Sequence, residues 1–229
     1  MSRVRQYQSN RRTAAAYNQE GRGCLSFYLL PPLSVLFIGI MIAIIVLNVP
    51  AQGVPFQISA FSVSNRLAPL FTPEVQYWSM SILRWSAISN LDPNLVATVM
   101  QIESCGDEFA RSSAGAVGLF QVMPFHFAST DNPFDPGTNA LRGLAYLRRV
   151  FDTANHNISW SLAAYNGGPS LIGLNEWVWP TETIRYVYWG SGIYADATQM
   201  RSSSQRLKEW LAVSGASLCR QAHRQLGLP

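Results

Sequence analysis

The chain is poor in the residue types that bind metals. Its 229 residues include only three histidines and three cysteines. The histidines, His126, His156 and His223, do not have the close spacing typical of zinc ligands. The sequence therefore predicts no metal site.

The chain also lacks the spread of positive charge that is typical of nucleic-acid-binding proteins. Its net charge is +4, yet five arginines and one glutamate within residues 1–24 account for all of it. From residue 50 onward, 12 basic residues balance 12 acidic ones. Nucleic acid is therefore not an expected partner.

Charge is missing altogether from one long segment, Leu25 to Val49. About 20 apolar residues cross the hydrocarbon core of a bilayer, so this segment is long enough to span it. A buried core helix would show a polar face, and after Ser34 the segment has almost none. The sequence predicts a single transmembrane helix, and by the positive-inside rule residues 1–24 lie in the cytoplasm and the C-terminal part lies outside.

The segment around Val49-Pro50-Ala51 leaves a second possibility open. It has small residues where signal peptidase would cleave, which would release a secreted form. Signal peptides have apolar regions of roughly 7–15 residues, however, and this one is longer. An uncleaved anchor in the cytoplasmic membrane is the favoured interpretation.

The pattern along the chain predicts four segments: a basic tail at 1–24, the anchor at 25–49, a proline-interrupted linker at 50–73 and a helical domain at 74–229. Alternating strand patterns are nearly absent, so the domain is expected to be all-α. Asp92-Pro93 and Asp135-Pro136 each join an N-capping acid to a proline, which is a helix-start signal. Further helices are expected over about 73–90, over 159–166, from a cap at Thr181, and over about 203–219.

Two cysteines fall in the part predicted to lie outside the membrane. Cys105 and Cys219 are free to form a disulfide in an oxidising compartment, whereas Cys24 lies on the cytoplasmic side. Such a bond would join the C-terminal helix to the segment after Glu103. The alternative is two isolated, small hydrophobic residues.

Glu103 is the most informative residue of the sequence. It ends an apolar helix pattern and precedes the apolar segment from Leu119 to Met123, so an apolar pocket around its carboxyl is expected. Burial disfavours the charged form of a carboxyl and raises its pKa, which is what a general acid working near neutral pH requires. A solvated glutamate at a helix end is the commoner fate of such a residue.

Three motifs at fixed positions favour the catalytic role. Glu103-Ser104 is followed by the segment Ser112-Ser113-Ala114-Gly115-Ala116-Val117-Gly118-Leu119-Phe120-Gln121-Val122-Met123-Pro124, then by Ala164-Tyr165-Asn166-Gly167-Gly168 and by Glu182-Thr183-Ile184-Arg185-Tyr186-Val187. Over about residues 90–200 this pattern resembles the soluble lytic transglycosylase domain, which is similar to goose-type lysozyme. Two departures from the family pattern, Phe120 and the pair Cys105-Gly106, remove no reactive group.

The resemblance implies a role for each matched residue. Glu103 would be the catalytic acid and base, and the substrate-binding residues would be Ser112, Gln121, Met123, Tyr165, Asn166, Glu182 and Tyr186. Plain core packing remains open for Met123, and Glu182 would either orient its neighbours or only cap its helix.

The resemblance also implies a goose-type lysozyme-like fold, no cofactor, bacterial peptidoglycan strands as substrate, and an extracytoplasmic catalytic domain. Most glycosidases pair two carboxylates, and Glu182 is the only second acid in the matched motifs. The family uses a single one, with the N-acetyl group of the substrate assisting, and releases 1,6-anhydro-N-acetylmuramic acid ends. A hydrolytic muramidase and an inactive wall-binding scaffold remain the alternatives.

Overall fold

The computed structural model describes residues 66–229. This part consists of helices, turns and loops and contains no β-strand. The only β-type pairing in it is two isolated bridges, Arg111 with Val117 and Val117 with Val122. The all-α prediction is confirmed. The predicted tail, the predicted anchor and most of the predicted linker lie outside the described residues.

Eight α-helices follow one another along the described chain. They are α1 (Pro73–Tyr77), α2 (Ser79–Ser89), α3 (Pro93–Glu103), α4 (Pro136–Thr153), α5 (Ile158–Gly167), α6 (Thr181–Thr198), α7 (Gln205–Trp210) and α8 (Ala216–Leu226). Short 3₁₀ turns occur at Pro124–His126, Pro169–Leu171 and Glu176–Val178, and one π-helical turn, Leu211–Gly215, joins α7 to α8.

Two of the helix starts are capped as the sequence predicts. The Asp92 carboxylate accepts hydrogen bonds from the backbone N–H groups of Asn94 and Leu95, at 2.7 and 3.3 Å. The Asp135 carboxylate accepts one from Thr138 at 2.7 Å. These bonds satisfy backbone donors that have no partner within the helix.

Two helix boundaries differ from the sequence-based expectation. Thr181 is the first residue of α6 and does not cap it; Pro180 holds the cap position, and no side chain bonds there. The C-terminal helical segment continues past Cys219 to Leu226 and is interrupted by the π-helical turn. Neither feature has a local sequence signal as strong as an Asp-Pro pair.

The packed core begins before residue 74, the predicted start of the domain. Ala68, Leu70 and Phe71 are buried in the same hydrophobic cluster as the helices. The backbone N–H of Ala68 donates a hydrogen bond of 2.9 Å to the side chain of buried Asn94. The last residues of the predicted linker are therefore part of the domain.

Helix α3 is the central element of the core. Every residue from Pro93 to Gln101 is buried, and the helix packs against α2 and α6. A helix enclosed on all sides carries its last residue, Glu103, to the point where the core opens into a cleft. Between Arg66 and Pro229, no helix has both the length and the apolar character needed to cross a membrane.

Candidate active site

Glu103 lies at the floor of a cleft of ≈ 500 Å³. The cleft is lined by Ile102, Glu103, Asn166, Thr181, Glu182, Arg185, Tyr186, Trp189, Trp210, Val213 and Ser214. Four of the residues that the sequence predicts for the site, Glu103, Asn166, Glu182 and Tyr186, are thus brought together. They come from the end of α3, the end of α5 and the first turns of α6.

Glu103 is half-buried as a whole residue, and protein atoms closely surround its carboxyl group. Burial raises the pKa of Glu103 from 4.5 to about 8. The Tyr186 hydroxyl donates a hydrogen bond of 2.8 Å to Glu103 Oε1, which lowers this pKa, and the nearby negative charge of Glu182 raises it. Burial is the largest of the three effects, so Glu103 is protonated at neutral pH and has a proton to donate.

Ser104 fixes the backbone that follows the acid. Its hydroxyl donates to the carbonyl oxygen of Leu119 at 2.7 Å and accepts from the N–H of Gly106 at 3.0 Å. Ser104 is completely buried. The serine of the Glu-Ser pair therefore ties the end of α3 to the loop that carries the second motif.

That loop is held by a residue that the sequence analysis did not single out. Asn139, buried in α4, accepts a hydrogen bond from the N–H of Phe120 and donates to the carbonyl oxygens of Val117 and Pro133, at 3.0, 2.9 and 2.9 Å. Its only sequence signal is its position one turn after the Asp135-Pro136 helix start. All the hydrogen-bonding atoms of its side chain are used to hold backbone.

Three predicted substrate-binding residues of this loop do not line the cleft of Glu103. The Ser112 hydroxyl accepts a bond from the N–H of Ala116 at 3.0 Å. The Gln121 amide donates to the carbonyl oxygens of Ala110 and Gly118, at 3.2 and 3.0 Å. Met123 is half-buried just before the 3₁₀ turn at Pro124.

These bonds give Ser112 and Gln121 an evident role in shaping the loop. Gln121 has a left-handed backbone with φ 45°, a conformation that a non-glycine residue adopts at a cost. Among the polar side-chain atoms of Ser112 and Gln121, only the Gln121 side-chain oxygen makes no hydrogen bond to the loop. A sugar-binding role for Ser112, Gln121 and Met123 stays a prediction.

The two tyrosines of the predicted site differ in the hydrogen bonds that their hydroxyl groups make. Tyr186 touches Glu103 directly, whereas the Tyr165 hydroxyl donates to the carbonyl oxygen of Phe120 at 2.7 Å. Burial raises the pKa of Tyr165 well above its usual range, and the charge of Glu103 adds to the effect. Tyr165 is therefore a close neighbour of the acid that positions the loop. Next to it, Asn166 accepts a bond of 2.8 Å from the Thr183 hydroxyl, which joins α5 to α6.

Cys105 and Cys219 form a disulfide. The bond attaches α8 to the residue two positions after the acid. A hydrogen bond of 2.7 Å from the Gln221 amide to the Asp107 carboxylate reinforces the attachment. The two sulfur atoms lie close to the Glu74 carboxylate, but because they are bonded to each other they offer no thiolate to a metal ion.

Sequence reasoning missed several residues that line the cleft. Trp189, Trp210 and Val213 are among them, and the sequence analysis assigned them no site role. The only available signal was the abundance of tryptophan, with seven in the chain, which does not distinguish a binding residue from a core residue.

Comparison with known proteins finds a family model that is similar to the part of the chain around Glu103. Residues 80–177 match the family model described as the transglycosylase SLT domain. The match begins within α2 and includes Glu103, the loop at 112–124 and the Tyr165-Asn166 pair, and it ends before the Glu182 motif.

Two curated proteins are similar to part of this chain. The transglycosylase of Enterobacteria phage PRD1 is 39% identical over 114 residues, which are 49% of this chain and 40% of the relative. The soluble lytic murein transglycosylase of Escherichia coli is 29% identical over 101 residues, which are 39% of this chain and 16% of the relative. The chain thus matches less than half the length of either relative.

Among solved structures, the lytic transglycosylase Slt of Pseudomonas aeruginosa, determined as an inactive mutant, is 25% identical with a TM-score of 0.45. The match covers 56% of this chain and 25% of that one.

Proposed function

We propose that this protein is a peptidoglycan lytic transglycosylase that cleaves the bond between N-acetylmuramic acid and N-acetylglucosamine without consuming water. The observation that carries the proposal is the Glu103 carboxyl in the lining of a cleft, where it accepts a hydrogen bond of 2.8 Å from the Tyr186 hydroxyl and burial raises its pKa to about 8. The transglycosylase SLT domain around it and the two related enzymes support the choice of substrate.

The first step uses the proton of Glu103. Glu103 donates it to the glycosidic oxygen as the C1–O bond breaks, and positive charge develops at C1 of N-acetylmuramic acid. The carbonyl oxygen of the substrate's own N-acetyl group stabilises that charge, as in other substrate-assisted glycosidases. Among the described residues that line the cleft, Glu182 is the only other carboxylate, and this mechanism gives it no covalent role.

The second step returns the proton. The C6 hydroxyl oxygen of the same sugar bonds to C1, and the Glu103 carboxylate accepts the hydroxyl proton. This step closes the 1,6-anhydro ring and restores the protonated acid. The Tyr186 hydroxyl, 2.8 Å from Glu103 Oε1, stabilises the carboxylate formed between the steps. We infer that the domain has the goose-type lysozyme-like fold on which its family carries out this chemistry.

Mass spectrometry of digested peptidoglycan tests the proposal. The purified chain is expected to release fragments one water lighter than muramidase products, and a Glu103→Gln variant is expected to release none. Reducing-end fragments from the wild type would make it a muramidase. Bound but uncleaved glycan with both proteins would make it a scaffold.

We also propose that residues 25–49 anchor the enzyme in the bacterial cytoplasmic membrane, with the catalytic domain outside. The uncharged run and the five arginines before it support this placement. The full chain should stay with membranes after alkaline extraction, and protease added to spheroplasts should remove the domain. A mature N-terminus near residue 50 in the culture or periplasm would show a cleaved signal peptide instead.

A further inference from the structure

Two sulfur atoms and a buried carboxylate lie together where α1, the end of α3 and α8 meet. Cys105 lies two residues after α3, Cys219 belongs to α8, and Glu74 belongs to α1. One ligand atom from each residue, the two Sγ atoms and a carboxylate oxygen, lies within 4.8 Å of both others. All three residues are buried, and none of them lines the cleft of Glu103. The proposed mechanism uses none of these three side chains.

The side chain of Gln101 points its amide nitrogen at the two sulfur atoms. Gln101 Nε2 lies 3.0 Å from Cys105 Sγ and 3.6 Å from Cys219 Sγ, while the side-chain oxygen accepts a hydrogen bond of 3.2 Å from the N–H of Thr72. Among the described residues, the sulfur atoms are the only acceptors for this amide nitrogen. Neutral sulfur is a weak acceptor, and a charged acceptor forms a hydrogen bond roughly twice as strong. A completely buried donor with only sulfur acceptors therefore fits thiolates better than a disulfide.

Contacts on two sides hold Glu74 next to the sulfur atoms. Its backbone oxygen packs on Gly106, where an added Cβ would meet that oxygen at 2.8 Å. Its side-chain Oε1 lies 2.9 Å from His223 Nδ1, and His223 is the only hydrogen-bond partner of the carboxylate within residues 66–229. Carboxylates that bind metal ions are oriented by such hydrogen bonds from neighbouring groups. Glu74 is thus a buried, oriented carboxylate with oxygen atoms to offer a cation.

We propose that Cys105, Cys219 and Glu74 bind a zinc ion when the disulfide is reduced. Zinc accepts thiolate and carboxylate ligands, and three protein ligands leave the fourth tetrahedral position for water. Two thiolates on one zinc ion, each at about 2.3 Å, lie about 3.7 Å apart. Cysteines that form a disulfide have Cβ atoms about 3.8 Å apart. Rotation of the two side chains therefore brings the sulfur atoms to the required separation without a movement of the backbone.

The change from disulfide to zinc site requires a dithiol reductant. The dithiol supplies two electrons and two protons to the two sulfur atoms and is itself oxidised to a disulfide. Zn²⁺ then binds both sulfur atoms as thiolates, and the two thiol protons are released to water. The ion replaces the broken covalent bond between Cys105 and Cys219, so α8 stays attached beside the end of α3 while the chain is in a reducing compartment.

Zinc titration of the full chain, in competition with a chromophoric chelator, tests the proposal. After reduction with a phosphine, the chain should bind one zinc ion at least about 100-fold more tightly than the oxidised chain does. Cobalt in place of zinc should give a thiolate-to-cobalt charge-transfer band. Glu74→Gln keeps both cysteines and should weaken zinc binding at least about tenfold. Glu176→Gln, which removes an exposed carboxylate elsewhere, is the matched control and should bind zinc as the wild type does.

Alkylation of the thiols in the reduced full chain provides a second measurement. Zinc should slow the reaction of Cys105 and Cys219 with iodoacetamide and leave the rate at Cys24, the remaining cysteine, unchanged. Equal zinc affinity of the reduced and oxidised chains, or of Glu74→Gln and the wild type, would refute the site. Unchanged alkylation of Cys105 and Cys219 in the presence of zinc, as expected if the reduced chain does not fold, would also refute it. None of these measurements depends on the cleavage of peptidoglycan.

Discussion

Replacing Glu103 with glutamine should abolish cleavage and at the same time stabilise the folded chain. Glutamine has nearly the same shape, and its side-chain oxygen can still accept the Tyr186 hydrogen bond, so no cavity or unpaired donor is expected. What the substitution removes is a carboxyl that burial keeps from ionising. Loss of a general acid lowers the rate by about 10²–10⁴-fold.

The size of the stabilisation follows from the pKa of Glu103. Between pH 4.5 and about 8 the folded chain retains a proton that the unfolded chain has released. Rising pH therefore favours unfolding in this window, by about 1.4 kcal/mol per pH unit. The wild type therefore loses at most about 5 kcal/mol of folding stability at pH 8 and above, and at most about 3 kcal/mol at pH 7. The glutamine variant has no carboxyl at this position and does not lose this stability.

Urea denaturation of the wild type and the Glu103→Gln variant at pH 5, 6, 7 and 8 measures the difference. The free energies of unfolding should diverge as the pH rises, with the variant the more stable. Peptidoglycan cleavage by the wild type should in turn decline above pH 8, where the acid loses its proton. If the two stability curves run parallel from pH 5 to 8, Glu103 ionises at an ordinary pKa and the argument for a buried acid is wrong.

Four further substitutions, one of them a control, test the surroundings of the acid. Glu182→Gln removes a negative charge that raises the pKa of Glu103, so the alkaline limit of the pH–rate profile should move to lower pH; an unchanged profile would contradict this. Cys219→Ser opens a disulfide that spans 114 positions and should lower the free energy of unfolding by about 2–5 kcal/mol in urea titrations. Gly118→Ala places a Cβ 2.3 Å from the buried asparagine of α4, whereas Gly115→Ala meets nothing within 4 Å. Both glycines have positive φ, so each substitution should lower the free energy of unfolding by about 1–2 kcal/mol. Only Gly118→Ala should lower it by several kcal/mol more and weaken cleavage.

Local signals in the sequence predicted two helix starts and the position of Glu103 at the end of a helix. The caps at Asp92 and Asp135 involve residues two or three positions apart, so the sequence contains the whole interaction. The position of Glu103 at the end of an apolar helix was equally visible. Tyr186 was predicted to lie in the cleft by its motif, and the structure adds the hydrogen bond to Glu103.

Features that depend on distant contacts were not visible in the sequence. Trp210 and Val213 reach the cleft from more than 100 positions after Glu103, through a helical segment that no motif marks. The bonds from the Gln121 amide nitrogen to its own loop could not be foreseen, because they depend on how the backbone turns there; its predicted role in sugar binding stays a prediction. Asn139 holds that loop from α4, and a buried asparagine cannot be told from an exposed one by sequence alone.

The cleft-lining residues that lie beyond residue 177 limit how the site could be transferred to another protein. Residues 80–177 contain Glu103, Tyr165 and Asn166, but Tyr186 and Trp210 lie beyond them. A chain reduced to the matched residues would expose the carboxyl of Glu103 to water, and its pKa would fall back toward 4.5. Such a fragment would keep Glu103, but at neutral pH the carboxyl would lose its proton. The raised pKa depends on the surrounding protein and not on the sequence motif.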